Sequence, residues 1–432
     1  MLLRPFLQRL GLGGLLVAFG AVTPAVATKV TLAQAADGRW QWLRDGAPYA
    51  VRGVSGHQFL EQAAACGATT IRTWGAESLD DEVDGVNLLD RAHALGLTVL
   101  AGLWVQHPAH GFDYRDAAKV EKQREEFRAA VRKHRGHPAL LAWGVGNEAE
   151  LGAEVADDRL WQELEVLLRL VKTEDPDHPV LTVLAGGSVA AIHQLQRHCP
   201  SLDLLGINVY GWAPVVSHLL DDSGWNRPLL LTEFGPRGQW EVLHTPWNAP
   251  IEPGSVEKVM TYVASHRAVS SDPRCVGTFC FTWGYKQEAT ATWFGMFLSS
   301  GEKTPIVDAM AHEFTGRWPA NRSPQIYSLK SALALDRVPA GTEFTAEANA
   351  NDPENDTLSY DWQVVAESTD RKTGGAAEAA PPVIPDCIVG APGPKVTVRT
   401  PTQPGAYRLF VTIRDGQGGA CTENVPFYVL PK

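Results

Sequence analysis

The stretch Leu140-Leu-Ala-Trp-Gly-Val-Gly-Asn-Glu148 decides the fold. Its apolar run, with Trp143 inside it, reads as a buried strand. The run stops abruptly on Gly146-Asn147-Glu148, with a loop behind it. One other stretch has this form, Pro228-Leu-Leu-Leu-Thr-Glu233-Phe-Gly235, whose carboxylate lies 85 residues further on. An ionisable group placed where a buried parallel strand ends sits at the C-terminal mouth of a barrel, where barrels do their chemistry.

The surrounding chain supports that placement. Strands are expected at Ala50–Val54, Thr69–Trp74, Thr98–Trp104, Leu140–Val145, Val180–Leu184, Leu204–Val209, Leu229–Thr232 and Val276–Trp283. Between them run helical segments at Gln58–Cys66, Gly85–Leu95, Lys119–Arg135, Arg159–Thr173, Val189–His198, Val215–Leu220 and Ser255–Val269. The third of these puts Val120, Phe127 and Val131 on one face with charge around the rest. Gly67, Gly96 and Gly136 stand where helix stops are expected. Strand–helix alternation sustained over about 235 residues points to a parallel (β/α)8 barrel, placed at residues 35–320. A doubly wound sheet is the other architecture with this rhythm, but no glycine-rich phosphate loop recommends it.

Beyond Trp318-Pro-Ala-Asn-Arg-Ser-Pro324 the helical period disappears. Runs at Thr342–Ala348, Leu358–Val365, Lys395–Val398 and Tyr407–Ile413 are spaced by Gly, Pro, Asn and Asp. They predict a small all-β sandwich over residues 325–432 with its own core, able to fold apart from the barrel. Asp352 and Asp356 are expected in Asx turns, with a calcium ion as the alternative use. Of the six cysteines, Cys387 and Cys421 share the sandwich and are the expected disulfide. Cys66, Cys199, Cys275 and Cys280 fall in barrel elements and are expected as small buried apolar residues.

Residues 1–27 carry Arg4 and Arg9, an apolar run from Gly11 to Ala21, and Ala25-Val-Ala27. That is the pattern of a secretory signal, which predicts export to a periplasmic or extracellular space and permits disulfides. No cysteine follows the run and no other membrane-length apolar stretch occurs, so no membrane anchor is expected. Removing the segment takes the formal net charge from −11 to −13. An acidic chain without basic clusters argues against nucleic acid and anionic membranes as partners, while neutral sugars are not repelled.

With the strand ends located, further side chains fall on the same mouth: Arg72, Trp74, Trp104, Asn147, Tyr210 and Trp283, with Trp240 in the loop after the seventh strand. Trp212, Trp247 and Trp293 lie in neighbouring loops; one or two of the loop tryptophans are expected as sugar platforms and the rest as packing. Two carboxylates presented from two strand ends suit glycosidic cleavage, one as proton donor and one as nucleophile or base. Trp283 offers an apolar floor for a sugar ring, its other reading being a core residue that caps the barrel. His107, His110 and Asp113 lack metal-ligand spacing and read as a polar or substrate-contacting loop, and no metal or cofactor is expected. Asp175, Asp177, His178 and Asp203 belong to turns at the opposite end, and Glu150 lacks a preceding Asn.

The set Trp143-Gly-Val-Gly-Asn-Glu148 with Leu231-Thr-Glu233-Phe-Gly resembles the clan A glycoside hydrolases, which include families 2, 5 and 72. Asp45-Gly-Ala-Pro-Tyr-Ala-Val-Arg-Gly53 and Ala68-Thr-Thr-Ile-Arg-Thr-Trp74 look most like the family 2 barrel, although the jelly-roll domain usual ahead of that barrel is not evident. The resemblance implies Glu148 as acid/base and Glu233 as nucleophile. The sandwich, through Asn351-Asp-Pro-Glu-Asn-Asp-Thr-Leu-Ser-Tyr-Asp-Trp362, resembles polycystic-kidney-disease and cadherin-like modules. The function expected is retaining hydrolysis of a β-glucan or related β-glycoside. The alternatives are a β-glucan transglycosylase with the same two Glu, a non-catalytic carbohydrate-binding barrel, and a metal-dependent hydrolase.

Overall fold

In the computed structural model, which describes residues 28–372 and 375–431, eight parallel strands close into a barrel. They are β1 (Val51–Ser55), β2 (Thr70–Arg72), β3 (Thr98–Leu103), β4 (Leu140–Asn147), β5 (Val180–Ala185), β6 (Leu204–Asn208), β7 (Leu229–Phe234) and β8 (Cys275–Phe281). Each pairs with its successor in sequence, and β8 returns to β1. The secretory segment expected at 1–27 lies outside the described residues.

The helices that cover the strands are α1 (Leu60–Ala65), α2 (Leu88–Ala94), α3 (Ala117–His134), α4 (Asp158–Glu174), α5 (Val189–His198), α6 (Val216–Asp222), α7 (Ser255–Ser271) and α8 (Pro305–Thr315). Local chemistry sets their starts. The Asp116 carboxylate accepts from the N–H groups of Ala118 and Lys119, and Asp157 and Ser188 cap α4 and α5 in the same way. In α4 a stripe of Leu160, Leu164, Leu167, Leu168 and Val171 faces the strands and is buried, as helical spacing requires. The last helix is an addition to the sequence reading. Pro305 opens it, Ile306, Met310 and Phe314 bury its inner face, and Gly316 ends it in the left-handed conformation at φ 73°.

Below the barrel, strands Val30–Gln34, Trp40–Arg44 and Ala47–Tyr49 form an antiparallel sheet that the sequence reading placed outside the barrel or left unassigned. Val30 and Trp42 pack there against Leu100, Leu141, Leu204 and Phe279, and the Trp42 indole donates to the Val276 carbonyl at 2.9 Å. This plug closes the bottom. Asp175 sits at the same end, taking the Trp143 indole N–H at 2.8 Å and pairing with His178 at 2.9 Å, so this cluster is structural. Asp203 likewise holds Lys172 and the Val180 N–H.

The C-terminal part is a β-sandwich. One sheet holds Gln325–Ser331, Glu343–Asn351, Lys395–Arg399 and Ile388–Val389, and the other holds Arg337–Val338, Ala420–Val429, Gly405–Arg414, Ser359–Ala366 and Val383–Ile384. Ile326, Trp362, Leu409, Val411 and Phe427 lie in a core separate from the barrel's. The expected Cys387–Cys421 disulfide is not formed: both thiols are free and buried. Cys387 adjoins a strand of the first sheet and Cys421 lies on the second, each filling apolar core space. Asp352 makes the expected Asx contacts, its Oδ1 accepting from the N–H groups of Glu354 and Asp356.

The sandwich is not merely strung behind the barrel. Arg408, 2% exposed, pairs with Glu367 and donates to Asn424 and to the Pro250 carbonyl in the β7–α7 connection. Asn424 donates in turn to Glu252, which is ion-paired with buried Lys258 of α7. Backbone bonds join Lys303 to Gly418 and Ala420.

Candidate active site

At the C-terminal mouth, Arg72 at the end of β2 ties two strand ends together. Its Nη1 donates to Glu233 Oε1 at 2.9 Å and to the Thr232 carbonyl at 2.9 Å, while Nη2 donates to Asn147 Oδ1 at 2.7 Å. Glu233, 4% exposed, also takes the Trp74 indole N–H on Oε1 and the Tyr210 hydroxyl on Oε2, each at 2.7 Å. Three donors converge on it from around the barrel mouth, the environment of a fixed carboxylate acceptor. Burial, and then the Glu233 and Glu148 carboxylates, push the Tyr210 hydroxyl well above its ordinary value, so it remains a donor.

Glu148 stands in contrast. The end of β4 leaves regular register against β5, Asn147 pairing with Val183, and Gly146 and Glu148 both turn left-handed. Glu148 at φ 53° is a conformation that costs a non-glycine residue about 1–2 kcal/mol, held here by its N–H to the Val183 carbonyl at 2.8 Å. Among the described residues its carboxyl receives one donor, Asn208 Nδ2 at 2.8 Å. Burial, then the charge of Glu233, raises its pKa well above the carboxylate range, with Asn208 and Arg72 pulling the other way. Glu150 is no rival, because its Oε1 is taken by the Ala185 N–H at 2.6 Å; burial pushes it up to about 7. The pair therefore consists of one carboxylate held by a cation and two further donors and one carboxyl pushed towards its protonated form.

Asn208, at the end of β6, is the residue the sequence reading missed. Its Nδ2 serves both Glu148 Oε1 and Asn147 Oδ1, and its Oδ1 accepts from Thr232. The signal was a polar side chain closing an otherwise apolar strand, Leu204-Leu-Gly-Ile-Asn208. Asn147 has its oxygen occupied by Arg72 and Asn208, which leaves its amide N–H groups for a ligand in the cleft it lines.

The cleft above these groups has a volume of about 880 Å3, within the range of small-molecule sites. Trp74, Trp104, Trp212 and Trp240 all line it, and Trp240 is 59% exposed against the edge of Tyr210. Trp283 also contributes to the lining, yet it is only 1% exposed, with its indole N–H on the Phe59 carbonyl and its ring against Phe297. It packs the barrel more than it presents a face. Trp293 is fully buried and the Trp247 ring lies tilted against Tyr428 of the sandwich, 5.8 Å between centroids, so these two are packing. His107 and His110 form a ring stack with Trp104, at 4.7 and 5.0 Å between centroids, while Asp113 is ion-paired to Arg115. Burial lowers His107 to about 4, which keeps the inner ring neutral. Among the described residues, three potential ligands converge at Asp352, Asp356 and Asp415 in the sandwich, away from the cleft. No described helix is long and apolar enough to cross a membrane.

No family model matches this sequence, and no curated protein does. Solved structures do share its fold. The β-glucuronidase of Bacteroides uniformis superposes with a TM-score of 0.51 at 15% identity, over 93% of this chain and 48% of that one. The β-D-glucuronidase of Dictyoglomus thermophilum gives 0.51 at 14% identity, over 67% and 54%. A family 2 β-galacturonidase of Eisenbergiella tayi gives 0.50 at 15%, over 67% and 55%. The chain thus spans about half the length of these proteins. The structures it resembles are β-glycosidases, and at this identity the likeness establishes that the chain shares their barrel fold.

Proposed function

We propose that this chain is a retaining glycoside hydrolase that cleaves β-glycosidic bonds of a glucan or related β-glycoside by double displacement. The observation that carries the reading is the contrast between the two carboxyls: three donors on Glu233, burial and one donor on Glu148. Glu148 gives its proton to the glycosidic oxygen as Glu233 attacks the anomeric carbon and the old C–O bond breaks. The departing sugar leaves as an alcohol. A water then gives its proton to Glu148 and its oxygen to the anomeric carbon, which frees Glu233. Asn147 offers N–H donors to the sugar 2-hydroxyl, a contact that strengthens as the ring flattens. The β-glycosidase names of the structural relatives agree with this reading. Export through residues 1–27, and kinship of the sandwich with polycystic-kidney-disease modules, belong to the same proposal.

The deciding experiment follows the first product of a β-glycoside by proton NMR. A β-anomer that mutarotates later is expected, and an α-anomer as first product refutes the retaining assignment. Transfer to sugar in place of water is the second reading. Aromatic rings at Trp104, His110 and Trp212 on the β3–β6 side of the cleft suit an acceptor ring. Added acceptor that raises the yield of longer products at constant donor consumption would establish it.

A further inference from the structure

The cleft wall is not made by the barrel alone. Lys372, Gly375 and Ala376, all from the sandwich, line it together with the loops after β7 and β8. Among the described residues, two bonds fasten that part of the sandwich to the barrel. The Glu378 carboxylate, 8% exposed, accepts from the Ala289 N–H at 2.8 Å and from the Lys372 N–H at 3.1 Å. Arg371 donates to Gln239, itself a cleft residue, at 2.9 Å. Ala289 is held at φ 58°, and it packs in one cluster with Tyr210, Phe281 and Phe294. Tyr210 is a donor to Glu233. The clamp therefore reaches the nucleophile's surroundings through a single layer of rings.

The position of this wall matters more than its presence. In a ring of eight strands, β8 lies diametrically across from β4. Glu148, on β4, protonates the departing oxygen, so the leaving group passes out on the β4 side. The sugar whose anomeric carbon is attacked is held on the opposite side, under the loops after β7, β8 and β1. That is the side on which the sandwich stands. An enzyme that cuts within a chain needs room for further sugars beyond that ring; a wall there leaves room for a chain end.

Building on the retaining reading above, we propose that the C-terminal sandwich forms the end wall of the glycone subsite, fixed by Glu378 on Ala289, and restricts the enzyme to removing sugar from non-reducing chain ends. The sandwich is thereby a part of the substrate site and not an appended module. Glu378 is a positioning residue in this scheme, acting through the β8 loop, and Ala376 is a wall residue.

The experiment uses the full chain on cellohexaose and laminarihexaose carrying a fluorophore at the reducing end, with an aryl β-glycoside panel alongside. The expected first products are an unlabelled terminal sugar and a labelled oligosaccharide one unit shorter. Labelled fragments of mixed length at the earliest times overturn the end wall while leaving the hydrolase reading intact. Failure to hydrolyse any β-linked compound removes the hydrolase reading and this proposal with it. Glu378→Ala is expected to raise KM on the aryl glycoside on the order of tenfold, the scale of losing a charged hydrogen bond, with kcat little changed. Glu378→Gln, which keeps an acceptor for Ala289, recovers part of that affinity. Ala376→Trp, on an exposed segment whose change leaves the core untouched, narrows the subsite and raises KM at an unchanged melting temperature. Equal KM in all three variants overturns the assignment.

Discussion

Replacing Glu148 with Gln tests the electrostatic argument at its centre, because the side chain keeps its shape and can still accept from Asn208 while it loses its proton chemistry. Two separate magnitudes follow. General acid catalysis contributes about 10²–10⁴ in rate, so hydrolysis of a glycoside with a poor leaving group should fall by that factor, or about 3–5 kcal/mol of barrier. A dinitrophenyl glycoside, whose phenolate departs unaided, should keep its first step and accumulate glycosyl-enzyme. The second magnitude is thermodynamic. In the native protein burial and Glu233 raise the Glu148 pKa above its unfolded value. The folded state then holds that proton longer, and the stability it contributes is complete at acid pH and lost as pH rises through the folded pKa. Every tenfold difference in proton affinity between the folded and unfolded chain corresponds to about 1.4 kcal/mol. Glu148→Gln removes this loss, so the variant should gain stability over the parent as pH rises from 5 to 9, read by urea unfolding at fixed salt. A difference that stays flat or shrinks with pH, or equal loss on activated and natural substrates, would refute the reasoning.

Glu233→Ala should lose several orders of magnitude in turnover, and a 2-fluoro glycoside should label Glu233 in the parent, located by peptide mass. Arg72→Met leaves Glu233 buried without its cation, which should cost about 3–5 kcal/mol in urea unfolding; a cost under about 1 kcal/mol would show the ion pair to be incidental. Asn208→Ala removes the bond that lowers the Glu148 pKa, so the basic limb of the kcat/KM profile should move to higher pH, and a downward move would contradict the assignment. Reducing agent should leave the unfolding midpoint unchanged, because the described cysteines are all free.

The barrel was legible because its signal is repeated. Eight apolar runs broken by capped helices leave few alternatives, and every expected strand is found within a few residues of its expected limits. What the rhythm could not show is what happens once it ends. After β8 the chain wanders through a long connection from Thr282 to Thr304 before α8 begins at Pro305. The plug from Val30 to Tyr49 was hidden for a related reason, since antiparallel strands at a barrel bottom carry no parallel-sheet signature. The free thiols of Cys387 and Cys421 show that shared membership of a small domain says nothing of geometry, which a disulfide requires.

Within the site, the residues that could be read were those ending strands with a charge or an aromatic ring. Arg72, Asn147, Glu148, Tyr210 and Glu233 are joined by hydrogen bonds in the structure, Glu148 through Asn208, because a barrel brings all strand ends to one mouth. Asn208 escaped because a lone amide carries no charge to draw the eye, yet it is the donor that links Asn147 to Glu148. The sandwich contribution could not be read at all, because Lys372 and Glu378 meet the barrel only through the fold. Sequence places the boundary near Asn321 from a change of rhythm, and the structure holds two separate hydrophobic cores. The polar groups do not respect that boundary. Glu252 and Lys258 of the barrel are buried under Asn424, beside Arg408 of the sandwich, and Glu378 holds the β8 loop. Cutting the chain at the boundary would leave those charges without cover, so apolar rhythm locates cores while buried polar contacts decide which cores work as one unit.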